Sequence, residues 1–177
     1  MTNYHWLTSW AIDGRQSRKW YRDARRSIRA FATEHDHDPR TVSDVLALFS
    51  PRSNVTRSVN DSRHYLLTGQ YRPHVMSTIR AAVNHWERTG EIRGPKTSEF
   101  AKALRGDSQA IVVDVWMCRA LGVDHNLIGQ RPTLFRRCQR SIANCAEILG
   151  WQPAETQAAI WASTLQRFGR NPVSLSI

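Results

Sequence analysis

Between two stretches with helical spacing lies Gly90-Glu91-Ile92-Arg93-Gly94-Pro95-Lys96-Thr97. Upstream, Pro73 to Trp86 carries Val75, Ile79, Ala82, Val83 and Trp86 on one helical face; downstream, Thr97 to Leu104 reads as a short helix. The two glycines bracket a tight connection, and Pro95 suits a first helical position. The segment therefore predicts a hairpin joining two helices. Such a turn presents backbone N–H groups at the start of its second helix, where unsatisfied donors and the helix dipole hold a phosphate.

The same spacing extends outward in both directions. Trp20, Ala24, Ile28, Phe31 and Ala32 form one face of a helix from Gln16 to Glu34, interspersed with Arg22, Arg25, Arg26 and Arg29. Asp38-Pro39 supplies an N-cap and a first helical residue, after which Val42, Val45, Leu46 and Phe49 continue the pattern. Ser50-Pro51-Arg52-Ser53-Asn54 breaks it, because Pro51 lacks an N–H and pushes Ser50 out of helical geometry. A helix from Val55 to Leu67 stops at Gly69. Beyond the hairpin, Gln109 to Val113 reads as an extended apolar strip and Val115 to Leu121 as a short helix. Thr133 to Leu149 and Pro153 to Phe168 are longer ones. No turn signal joins two alternating strands, and no repeat or low-complexity segment occurs. The prediction is an all-α chain of roughly eight to ten helices.

Composition narrows the function. The 177 residues suit one domain, and a hydrophobic fraction of 41% with mean hydropathy −0.51 excludes a disordered tail. No apolar run approaches the roughly 18 residues that cross a bilayer, and Met1 to Trp20 has no signal-like block, so a cytoplasmic protein without membrane contact is expected. An odd set of three cysteines points to reduced thiols, with Cys138 and Cys145 on the apolar face of a helix. Lys and Arg number 25 against 15 Asp and Glu, a net charge of +10, which favours a polyanionic partner and nucleic acid first. Glu34-His35-Asp36-His37-Asp38 has metal-ligating residue types, but all lie in one polar linker and read as a capped, solvated connection, so no metal is expected. Residues after Pro172 read as a loose tail.

Chemistry centres on Asp114. It stands eighteen residues beyond Lys96, closing the strip Ala110-Ile111-Val112-Val113 and opening the helix at Val115. An acid placed there is an N-cap. It is also a fixed carboxylate, able to stabilise the positive charge that builds on a sugar as an N-glycosidic bond breaks.

These segments resemble the helix-hairpin-helix DNA glycosylases, the superfamily of endonuclease III and 8-oxoguanine glycosylase. Gly94-Pro95-Lys96-Thr97 and Val113-Asp114-Val115-Trp116-Met117 stand where that superfamily has its hairpin and, at a similar distance, a Val-Asp at the head of a helix. Leu46-Ala47-Leu48-Phe49-Ser50-Pro51-Arg52, with Val59-Asn60, is similar to the segment ending in a residue that wedges into DNA. The likeness spans about Val42 to Gly122. The whole chain is also similar to short phage and bacterial members with a Trp-Tyr start, a Ser-Pro loop, a Gly-Pro-Lys hairpin and a late Gln-Ala-x-x-Trp helix, here Gln157 to Trp161. Three departures stand out. Ile92 replaces the first hairpin glycine, Pro95 removes an N–H that could meet phosphate, and Trp116 occupies a position often held by histidine. Cys138 and Cys145 have the spacing of the first pair of an iron–sulfur site, but the other two cysteines are missing, so no cluster or other cofactor is expected.

The resemblance implies a two-lobed fold with an active cleft between the lobes. A central lobe would cover about 42–121, and a second lobe 1–41 with 122–177. It implies Asp114 as the essential acid and places Lys96 at the nucleophile position of members that also cut the strand; a phosphate contact is the alternative for Lys96. Arg52 would be the wedge, and Asn54, Arg93, Gly94, Thr97 and Ser98 further DNA contacts. Trp116, Gln157 and Trp161 would line a pocket for the extruded base or belong to the core. The function implied is a monomeric DNA glycosylase that flips out and excises a damaged, mispaired or hypermodified base from double-stranded DNA, with or without lyase activity. A non-catalytic DNA-binding module and a base-exchange enzyme are the alternatives.

Overall fold

The computed structural model describes residues 5–177, and every regular element among them is helical. In chain order these are α1 (His5–Asp13), a 3-10 turn (Arg15–Lys19), α2 (Trp20–Glu34), α3 (Pro39–Leu48) and α4 (Val55–Thr68). They continue with α5 (Ser77–Thr89), α6 (Pro95–Arg105), α7 (Val115–Ala120), α8 (His125–Ile128), α9 (Pro132–Leu149) and α10 (Pro153–Arg167). The all-α expectation is met. No helix among the described residues is long and apolar enough to cross a membrane.

Local chemistry sets most of the boundaries. Asp38 caps α3 by accepting from the Thr41 N–H, Asn54 caps α4 through Arg57, and Asp124 caps α8 through Asn126. Proline occupies the first turn of α3, α9 and α10. Two helices lack a sequence signal. In α1, Leu7 and Ala11 are buried while Trp6 and Ile12 are exposed, so no clean apolar stripe forms, and α8 is one turn long. The helix expected from Pro73 starts instead at Ser77. The Arg80 side chain donates to the carbonyls of Arg72, Pro73 and Val75, and so holds the preceding residues in a turn.

Two compact units make up the chain. One consists of residues up to Tyr21 with Gly106–Pro172. Its core gathers Leu7 from α1, Met117 from α7, Phe135 and Ile142 from α9 and Ile160 from α10. All three cysteines are buried in it, as core residues. Gly14 seats α1 and the 3-10 turn against α10 so closely that an added Cβ would fall 2.0 Å from the Ala159 carbonyl oxygen.

The other unit consists of Arg22–Arg105 with Val173–Ile177. Val45, Leu48, Phe49, Tyr65, Ile79 and Val83 form its core. Buried Asp44 on α3 ties the helices together, accepting from Arg105 of α6 and from Trp86 Nε1 of α5 at 3.1 Å. The residues after Pro172 are not loose: Leu175 is buried, and the Ile177 N–H donates to Ser27 Oγ at 2.9 Å. Burial of Leu175 and the hydrogen bonds between Ser27 and Ile177 dock this short segment. The linker Glu34–Asp38 is capped by Asp38, and the His35 and His37 rings pack on Phe31.

These units differ from the lobes expected at 42–121 and at 1–41 with 122–177. Residues 22–41 group with the hairpin, and 106–121 with α9 and α10, so Lys96 and Asp114 fall in different units.

Candidate functional site

The hairpin is built by its glycines. Gly90 ends α5 with φ 70° and donates to the Trp86 carbonyl at 2.7 Å, and Gly94 has φ 90° just before α6. A side chain would be strained in this region by roughly 1–2 kcal/mol. Nothing lies within 4 Å of a Cβ built on Gly90, so backbone conformation, not space, calls for glycine there. Between them Ile92 packs against the core of its unit, which anchors the turn by burial where a hairpin glycine was the expected pattern.

Pro95 opens α6, and the Ser98 N–H already donates to the Gly94 carbonyl at 2.9 Å. Thr97 is 9% exposed. Of the contacts expected here, Thr97 is thus buried, and Ser98 is half-buried with its N–H already engaged. Arg93 stands exposed in the turn, its Nε 3.9 Å from Glu91.

Lys96 points to the loop after α3. Its Nζ donates to Ser50 Oγ at 2.9 Å and to the Ser50 carbonyl at 3.4 Å, and lies 5.8 Å from the Phe100 ring centroid. Two expected elements, the hairpin lysine and the Ser-Pro-Arg loop, are joined directly. Within that loop Arg52 is exposed and has φ 54°, one of two non-glycine residues with positive φ among the described residues. Such strain persists where the surroundings fix it, and it aims this side chain outward. Asn54 is exposed but engaged as the α4 cap.

In the same unit, Arg22, Arg25, Arg26 and Arg29 line α2. Burial first, and then the charges of Arg29 and Arg22, hold the Arg25 guanidinium below its ordinary pKa, while its Nη1 donates to the Ala103 carbonyl. A cavity of about 590 Å³ opens among His37, Arg40, Asp44, Tyr65, Trp86 and Glu87. None of the expected site residues lines it. Its walls come from three helices and a linker, a convergence with no local sequence signal.

In the other unit, Asp114 is held at the head of α7. Its Oδ1 accepts both the Trp116 N–H at 3.0 Å and the Met117 N–H at 2.9 Å. Its charge reaches buried neighbours. Burial raises the Tyr21 phenol far above its ordinary value, with Asp114 adding to the shift. The Cys118 thiol is pushed up to about 12, by burial first and then by Cys138, Asp114 and Asp124. Tyr21 is consequently a neutral donor, and its hydroxyl gives a 2.7 Å hydrogen bond to Gln157 Oε1.

Gln157 is 3% exposed, so it anchors Tyr21 from within the core. Tyr21 meets Trp20 edge-on at 5.0 Å, and Trp20 meets Trp161 at 5.7 Å. Gln157 and Trp161 are thus linked through Trp20 and Tyr21, neither of which the sequence placed in the site. Trp116 makes its ring contacts with a different set, Phe168, Arg119 and Arg170. No group of three or more His, Cys, Asp or Glu placed to hold a metal ion occurs among the described residues.

A family profile matches residues 3–168, nearly the whole chain. The chain belongs to DUF7178, a family of unknown function. No curated protein and no solved structure matches it. The match covers the hairpin, the Ser50–Asn54 loop, Asp114 and α10, so Arg52, Lys96, Asp114, Gln157 and Trp161 all lie inside the region that defines DUF7178.

Proposed function

We propose that this DUF7178 protein is a DNA N-glycosylase that excises a modified, damaged or mispaired base after the nucleotide has been flipped from the stack. The observation that carries the reading is the fixing of Asp114. Two backbone N–H groups orient one carboxylate oxygen, and the charge is felt at the buried Tyr21 and Cys118. A preorganised anion on a half-buried residue beside such buried groups stabilises an oxocarbenium-like sugar more strongly than water does, and costs no reorganisation as the bond breaks. The motif likeness from Val42 to Gly122 and the net charge of +10 support DNA as the partner.

The hairpin and the arginines of α2 supply the phosphate contacts, and exposed Arg52 supplies the wedge that takes the place of the extruded base. Lys96 keeps two roles. A neutral amine still donates a hydrogen to Ser50 Oγ while its lone pair attacks C1′; as a cation it grips a phosphate instead.

The test is release of free base from duplex DNA carrying varied modifications, read by mass spectrometry under single-turnover conditions. Asp114→Asn keeps the capping acceptor but not the charge, so release should fall at least about a hundredfold while DNA affinity persists. Unchanged release by the variant rejects the proposal. Binding without release by the native protein, across all modifications, leaves the non-catalytic module.

A further inference from the structure

At the end of α10, the unit that holds Asp114 gathers a half-buried ring, an exposed ring and exposed guanidiniums to which the excision proposal above assigns no role. Trp116 and Phe168 meet edge to face with ring centroids 5.9 Å apart. The Arg119 guanidinium lies 4.3 Å from the centroid of Trp116 and 5.2 Å from that of Phe168, and Arg170 lies 5.3 Å from Trp116. Phe168 is 53% exposed, and both arginines are exposed.

Neither Arg119 nor Arg170 forms an ion pair among the described residues. A single exposed ring is ordinary, but two uncompensated cations converging on one indole beside a second ring are not. The faces of the rings offset only part of the repulsion between the charges.

The chemistry that completes this surface has flat π-faces and negative charge in alternation. Nucleotides provide both, since every base stacks on aromatic or guanidinium planes and every linkage carries a phosphate. An acidic peptide supplies the charge without the faces. A regular duplex hides its base faces inside the stack. We propose that Trp116, Phe168, Arg119 and Arg170 form a stacking platform for an unpaired nucleotide of single-stranded nucleic acid. The proposal goes beyond base excision and does not require Asp114 to act as a catalyst, although the Trp116 N–H that caps onto Asp114 places the platform beside that residue in the chain.

The experiment measures binding of a fluorescent oligothymidylate and of a blunt duplex by the full chain at several salt concentrations. The variants are Phe168→Ala, Arg170→Gln and the double substitution Arg119→Gln with Arg170→Gln. All alter exposed side chains, and circular dichroism checks that they fold. Phe168→Ala should lower affinity for oligothymidylate roughly tenfold and affinity for the duplex far less. The double variant should flatten the single-strand salt slope by about 1.4, two phosphates at about 0.7 each. Native affinity in the folded variants, equal losses on single strand and duplex, or competition by polyglutamate as effective as by unlabelled oligothymidylate would each overturn the platform. Loss of the Asp114 effect on base release would reject the excision reading and leave these outcomes unchanged.

Discussion

Lys96 and Ser50, 46 residues apart, are joined by a 2.9 Å hydrogen bond from the lysine Nζ to the serine Oγ. The bond fixes the lysine of the hairpin to the loop that displays Arg52, and it lets the two roles of Lys96 be separated. Ser50→Ala removes the acceptor at a cost of about 1 kcal/mol in stability. If Lys96 is the nucleophile, borohydride traps a covalent adduct with the native protein and none with Lys96→Gln. Ser50→Ala should then slow trapping by misplacing the amine. Efficient base release with no trappable adduct assigns Lys96 to phosphate.

Arg52→Gly separates strain from function. At φ 54° glycine relieves a left-handed arginine, against which stands its greater freedom in the unfolded chain. The melting temperature should hold or rise, by up to about 1 kcal/mol in stability. Excision should fall at least about tenfold through loss of the inserted side chain. A clear loss of stability with excision intact would reverse the assignment.

Gly14→Ala tests the packing of α1 on α10. The new methyl would lie 2.0 Å from a backbone oxygen and 3.1 Å from the Ser163 nitrogen, neither of which can swing away as a flexible side chain would. Destabilisation of about 1–3 kcal/mol, or failure to fold, is expected in denaturant titrations. A neutral change would mean that α1 shifts freely.

Alkaline conditions should loosen the same unit. An unfolded Cys118 ionises near 9.0, whereas the folded thiol is pushed up to about 12. Between these values the unfolded chain has lost a proton that the folded chain keeps, so stability falls as pH rises, by about 1.4 kcal/mol per pH unit for this thiol. Tyr21, also raised, adds to the loss above its ordinary value of 10.0. Burial raises the Cys138 and Cys145 thiols as well, so Cys118→Ala should make the profile shallower without abolishing it, which urea titrations at several alkaline pH values would measure. An unaltered profile would place the titration elsewhere.

Features written in neighbouring residues were legible. Asp38-Pro39, Gly69 and Asp114 act locally as caps, and Gly90 and Gly94 bend the hairpin, because capping and positive φ depend on one residue and its next few neighbours. Relationships across the chain were not. Tyr21 and Gln157 meet over 136 residues, and Asp44 selects Arg105 and Trp86 from two other helices. Nothing in their local patterns marks them. The boundary between the compact units was not legible for the same reason: it falls inside α2, whose sequence runs on without a break at Tyr21–Arg22.

The docking of Leu175 and Ile177 onto the unit that begins at Arg22 bears on how the molecule is made. As the ribosome delivers the chain, α1 emerges early yet must wait for α10 before its buried face is covered. The hairpin unit, nearly all translated by Arg105, receives its closing segment only after the other unit has been synthesised. Each unit is thus sealed by residues that arrive late, and a ribosome stalled between Arg105 and Pro172 holds both of them unfinished.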